Sequence, residues 1–232
     1  MRFHQLILGF FAVLCGHATA QDLVIYGGTP GGIAAAVSAA RMGREVTLVE
    51  YHEHLGGMTA SGLGKSDIEN RAMIGGLFKE FVAGVHQHYL TKYGPQHEST
   101  GKHSEPKHHA DSIAVGEFPI DSFPCRKRQP GDILVLEGYL GMLDYITRPY
   151  EIPYRILIPE KMDGLIVPVA ASTTHVAFSS IRMEPTWMAL GQAAGVAAHL
   201  AIGQAVEPRA VSVTGLQKLL VAQGQVIRHV KR

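Results

Sequence analysis

The stretch from Asp22 to Glu50, DLVIYGGTPGGIAAAVSAARMGREVTLVE, leaves the chain few ways to fold. Residues 22–26 are a short apolar run of the kind that forms a buried strand. Residues 32–42 are rich in alanine and favour helix, and Gly43 stands where a helix-ending glycine is expected. Residues 45–50, EVTLVE, form a second β-branched run. Strand, glycine turn, helix and strand within about 30 residues is the size of one βαβ unit. Such a unit implies a parallel sheet with helices layered on it, hence an α/β fold.

The turn inside this unit reads as a phosphate cradle. Set against G-x-G-x-x-G, it places Gly27 at the tight turn out of the strand and Gly32 where helix and strand pack closely. Gly28, Pro30 and Gly31 fill the intervening positions, but the middle glycine is replaced by Thr29. That glycine normally lets backbone approach a pyrophosphate. Thr29 adds a Cβ there, yet its N–H and hydroxyl can still face a phosphate, with the helix N-terminus supplying a favourable dipole. Glu50 follows Gly27 by 23 residues, at the end of the second strand. An acid at that offset holds adenosine ribose hydroxyls and disfavours a 2′-phosphate. The alternative is a structural glycine turn with no ligand; the combined strand, helix and acid favour dinucleotide binding.

The first twenty residues stand apart from this fold. MRFHQLILGFFAVLCGHATA has Arg2, an apolar core and a small-residue end, the pattern of a secretory signal cleaved near Ala20. Its apolar run is too short to span a membrane as a helix. A secreted or periplasmic mature chain is expected. Removing the leader takes away Arg2 and no acidic residue, so the 21 basic and 20 acidic side chains come into balance. Neutrality gives no nucleic-acid or anionic-membrane footprint. Of the two cysteines, Cys15 lies in the leader, so the mature chain keeps Cys125. One thiol closes no internal disulfide and holds no iron–sulfur cluster.

Further along, residues 75–92 carry Leu77, Phe78, Phe81, Val82, Val85 and Tyr89 at helical spacing, predicting an amphipathic helix. Residues 51–71 read as loop, and residues 94–109 as a polar linker. EIPYRILIP (151–159) and MDGLIVPVAAS (162–172) read as two further strands. Residues 185–203 and 215–223 read as helices. The histidines clustered between His86 and His109 suggest a metal site, but neither His86/His88 nor His108/His109 has i, i+4 spacing, and no metal is expected. His175 is a candidate proton donor or substrate contact, and Arg155 and Arg182 are candidate anion-binding groups, each with a structural role as the equal alternative. Cys125, followed by Arg126, Lys127 and Arg128, is expected to be inert without a partner thiol.

Several blocks together resemble a known family. VIYGGTPGGIAAAVSAA, VTLVEYHEHLGGMTASGL, NRAMIGGLFKEF, YEIPYRILIP and LIVPVAASTTHVAFSSIRMEPTWMALGQAAGVAAHLA are similar to the FAD-dependent oxidoreductases often found as secreted bacterial proteins, near the glutathione-reductase-like flavoproteins. The resemblance covers most of residues 22–93 and 110–224, and in that family the Thr-Pro form of the glycine loop is ordinary. It implies FAD, with Gly27, Gly28, Thr29, Pro30, Gly31 and Gly32 around the pyrophosphate and Glu50 on the adenosine ribose. It implies Gly56, Gly57 and Met58 beside the ribityl and flavin, and Gln192 as a further cofactor contact. The Ala-rich helix after Arg182 would aim its N-terminus at the flavin, with Gly191 and Gly195 serving either flavin contact or close packing.

Two departures accompany the resemblance. VPVAAS places Ala170 and Ala171 where many related flavoproteins carry an acid for the ribityl chain. The family is also usually longer, with a large middle region, whereas here a polar linker joins the two ends. The resemblance therefore implies a Rossmann-like FAD-binding layered sheet, truncated and with the substrate domain largely absent. Behind the leader (1–20), one FAD-binding domain (21–232) would combine segment 21–93 with segment 110–232 across linker 94–109. Two readings follow: an oxidoreductase acting on an unidentified small organic substrate through its flavin, or a non-catalytic dinucleotide-binding remnant. NAD binding without flavin is disfavoured by the HLGGMT and late-helix blocks.

Overall fold

The computed structural model describes residues 22–61, 71–95 and 150–228. The expected leader, nearly all of linker 94–109, Cys125, His108 and His109 lie outside the described residues. The opening unit forms as expected. Strand β1 (Leu23–Tyr26), helix α1 (Pro30–Arg41) and strand β2 (Val46–Val49) follow one another, and the strands pair in parallel with Leu23 opposite Val46 and Tyr26 opposite Val49. Gly43 ends α1 with a φ of 82° and donates its N–H to the Ala40 carbonyl.

After β2 the chain makes a one-turn helix α2 (Gly57–Ala60), a 3-10 turn at Arg71–Met73 and the long helix α3 (Gly76–Tyr93). The stretch read as loop thus contains one helical turn. The expected stripe on α3 is covered only near its start. Phe78 is buried and Leu77 and Val82 pack beside it, whereas Phe81 and Val85 are exposed.

The two late strands are not there. Residues 151–159 hold a 3-10 turn, Tyr154–Leu157, and residues 162–172 form no strand. The segments do lie side by side, since Val167 and Ser172 donate their N–H groups to the carbonyls of Leu157 and Ile156, each at 2.8 Å. A ladder goes no further for a physical reason. Pro153, Pro159 and Pro168 lack the N–H a strand must offer, and Gly164 turns with a φ of 67°. Helix α4 (His175–Ile181) follows, unexpected from sequence, capped by the Thr174 hydroxyl accepting the Ala177 N–H at 3.3 Å.

Helix α5 (Glu184–Gln204) is the spine of the molecule, and α6 (Val213–Ala222) packs on its far end. Small residues let α5 lie directly on α1. A Cβ on Gly191 would stand 2.0 Å from the Gly31 carbonyl oxygen, and one on Gly195 would stand 2.4 Å from that of Ala35. The two helices meet backbone to backbone at four-residue spacing on both, with Ala34, Ala35, Ala39, Ala194, Ala197 and Ala198 buried around them. Close packing accounts for both glycines. The start of α3 is fixed against the C-terminal segment, where the Gly76 N–H donates to the Gly224 carbonyl at 2.8 Å.

Candidate functional site

The site is built where β1 turns into α1. Gly27 leaves the strand with a φ of 109°, which a side chain resists, and its N–H donates to the Val49 carbonyl at 2.8 Å. A Cβ on Gly32 would stand 1.9 Å from the Gly27 carbonyl oxygen, so the loop closes only with glycine at that position. These are the turn and close-packing roles that the motif assigns.

Thr29 is the N-cap of α1. Its hydroxyl accepts the Gly32 N–H at 3.3 Å and its carbonyl accepts the Ile33 N–H at 2.9 Å. The side chain that replaces the middle glycine thus satisfies a helix donor, and its own hydroxyl proton remains to be given. Pro30 opens the helix, where its missing N–H costs nothing. The Gly31 N–H has no acceptor among the described residues, and the first turn of α1 carries no acidic side chain. A donor, a hydroxyl and an uncompensated helix N-terminus therefore converge, the chemistry of an anion cradle.

Two other segments close on this loop. The Gly56 N–H donates to the Gly28 carbonyl at 2.7 Å, and Gly57 packs against the Pro30 ring. Met58 follows, largely exposed. From the late block, the Val169 side chain and the Trp187 carbonyl lie against Gly31. Sequence reasoning passed over Val169 and Trp187, whose contacts with Gly31 come from chain-distant segments.

Glu50 sits at the end of β2 as expected, but its carboxylate is already engaged. Oε1 accepts the N–H groups of Tyr51 (2.8 Å) and His52 (3.1 Å), and Oε2 accepts that of Gly28 at 2.5 Å. The His52 N–H first, then the Gly28 N–H, hold its pKa below the ordinary carboxylate value.

Gln192 is placed differently from the other candidates. It is buried on α5 with 1% of its surface exposed. Its Oε1 accepts the Leu77 N–H at 3.1 Å and its Nε2 donates to Gln223 Oε1 at 2.9 Å, which also accepts from the Ser38 hydroxyl. The amide ties α5 to α3 and to the end of α6, so a cofactor contact through it would compete with these bonds. Arg155 is exposed on the 3-10 turn, Arg182 is exposed at the C-cap of α4, and His175 opens α4. His86 and His88 lie on α3 two residues apart, about 200° around the helix. Among the described residues no three His, Cys, Asp or Glu side chains are grouped to hold a metal.

A glycine turn between parallel strands, with an acid closing the second strand and a helix N-terminus open to an anion, defines the class of α/β dinucleotide-binding proteins. Comparison of the sequence with known families agrees and goes further. The profile described as FAD dependent oxidoreductase matches residues 22–108 and 96–220. The chain belongs to that family, and FAD is its cofactor. No curated protein and no solved structure matches the chain. No helix among the described residues is long and apolar enough to cross a membrane.

Proposed function

We propose that this chain holds FAD across the N-terminus of α1 and uses it to oxidise or reduce a small organic substrate, after export through the leader at residues 1–20. The observation that carries the reading is the meeting of three separate segments at one loop: 27–32, 50–57 and the Val169–Trp187 block. The residues present fit the cofactor. The Gly31 N–H and Thr29 hydroxyl suit its pyrophosphate, and Gly32 is kept bare of a Cβ by the Gly27 carbonyl described above. Glu50 Oε2 accepts one bond and keeps a lone pair for a ribose hydroxyl. Gly56, Gly57 and Met58 would border the ribityl side. When bound, FAD supplies an isoalloxazine that takes up and returns an electron pair; the protein binds it, orients it and sets its surroundings.

The affinity to glutathione-reductase-like flavoproteins belongs to the same proposal and rests on the βαβ unit with its acid at the second strand end. His175 and Arg182 are the residues to test first for proton transfer and anion binding, as both open or close the helix that precedes α5. The experiment is purification of the full chain with added FAD, followed by anaerobic mixing with a panel of small organic reductants. Bleaching of a bound flavin spectrum by one of them supports an oxidoreductase. A protein that binds no flavin defeats the reading, and bound flavin that no reductant bleaches favours a non-catalytic dinucleotide binder.

A further inference from the structure

We propose that Glu50 is a latch that holds the glycine loop in its cofactor-ready shape before any cofactor arrives. The inference rests on the reading of residues 27–32 as the FAD cradle, and it assigns Glu50 a positioning role separate from any contact with ribose.

The Gly28 peptide is gripped from both sides. Its N–H is held by Glu50 Oε2 at 2.5 Å, and its carbonyl is held by the Gly56 N–H at 2.7 Å. One peptide thus joins the loop after β1, the acid after β2 and the second glycine pair. Glu50 is suited to this because its other oxygen is fixed by its own turn, through the N–H groups of Tyr51 and His52. With Oε1 so anchored, Oε2 has a set direction, toward Gly28. A Cβ on Gly28 would stand 3.0 Å from Oε2 and 2.4 Å from Leu55 Cδ2, so a side chain there would displace these two groups. A loop with two glycines before Thr29 has many conformations open to it when free. A carboxylate that accepts from three backbone N–H groups removes much of that freedom. The cost of ordering the loop is then met within the apo protein, and less of it falls on binding.

A carboxamide cannot replace this carboxylate. In Glu50→Gln one side of the group becomes a donor and must face either Gly28 or the Tyr51 and His52 pair, all of them donors. In Glu50→Asp the shorter stem cannot reach Gly28 while keeping its own turn. Both variants are predicted to release the loop and leave the βαβ unit folded.

The test is amide hydrogen exchange at Gly28 in the FAD-free full chain, wild type against Glu50→Gln and Glu50→Asp. The latch predicts that Gly28 exchanges faster by about tenfold in both variants, while Ile25 and Ala35 keep their protection. It also predicts that the protection factor of Gly28, its exchange rate corrected for the intrinsic pH dependence of amide exchange, falls in the wild type as acid protonates Glu50, with no such fall in Glu50→Gln. The titratable neighbour acting on Glu50 among the described residues is His52, so His52→Gln should leave the acid effect in place. Equal Gly28 exchange in wild type and variants overturns the latch, because a role limited to the ribose has no effect without ligand. Failure of the wild type to take up FAD, read in a separate titration, overturns the functional reading on which the latch rests.

Discussion

Thr29 shows how a departure from a motif can be part of the design. The middle glycine is exchanged for a residue that caps the helix, through a hydroxyl 3.3 Å from the Gly32 nitrogen. Thr29→Ala should lower unfolding stability by about 1 kcal/mol, measured in urea, and Thr29→Ser should restore most of it. Gly32→Ala should cost more, roughly 2–3 kcal/mol, and weaken FAD binding, because the added Cβ meets the Gly27 carbonyl oxygen, which is backbone and cannot swing aside. The roles of Gly27 and Gly32 were legible in the sequence, because their spacing follows from the turn itself. The preference for a cap at Thr29 was equally available from residue type. The engagement of Glu50 was not, since it depends on where three N–H groups point once β2 has ended. Nor were the partners of Gln192, since Leu77 and Gln223 are distant in the chain and burial makes its amide a tie between helices.

At the scale of elements, the contact between α1 and α5 organises the site. Gly191→Ala sets two effects against each other. Replacing a mid-helix glycine gains up to about 1 kcal/mol in helix propensity. The new Cβ would stand 2.0 Å from the Gly31 carbonyl and force the helices apart, an overpacking cost of about 1–3 kcal/mol or more. Packing should win, so thermal denaturation is expected to show a lower midpoint for Gly191→Ala, together with weaker FAD binding because Gly31 moves. The 3-10 turn makes a second, pH-dependent tie. Tyr154 donates its hydroxyl to the Pro208 carbonyl at 2.9 Å, and burial pushes its pKa up to about 12. The folded state therefore favours the protonated phenol. Its contribution is full below the unfolded value near 10 and is lost as pH rises toward 12. Stability against urea should fall across that alkaline interval, and Tyr154→Phe should flatten the part due to this group. Helices α1, α3, α5 and α6 and the first two strands were legible because their composition and periodicity are local. The late strands failed because apolar runs at 151–159 and 162–172 hide prolines whose missing N–H groups decide against a ladder. Helix α4 escaped notice because Val176 and Phe178 are poor helix formers, although Thr174 supplies its cap.

Across the described residues, one face of the two-stranded sheet carries exposed apolar side chains. Residues 24 and 26 point away from α1, and Val24 and Tyr26 are 62% and 81% exposed. Parallel sheets are normally covered on both faces. Replacing Tyr26 with Ser should change stability by no more than about 0.5 kcal/mol, as befits an exposed position, while raising solubility. The site by contrast lies on the covered side, where α1, α5 and the loop after β2 meet. Ligand binding there stabilises the fold by mass action, so FAD should raise the unfolding midpoint in a concentration-dependent way. The most direct test of the account is hydrogen exchange mapped along the full chain with and without saturating FAD. Slowed exchange concentrated in residues 27–33 and 50–58 is the predicted result. Bound FAD that leaves those segments unchanged and protects others, or no FAD bound at all, would contradict it.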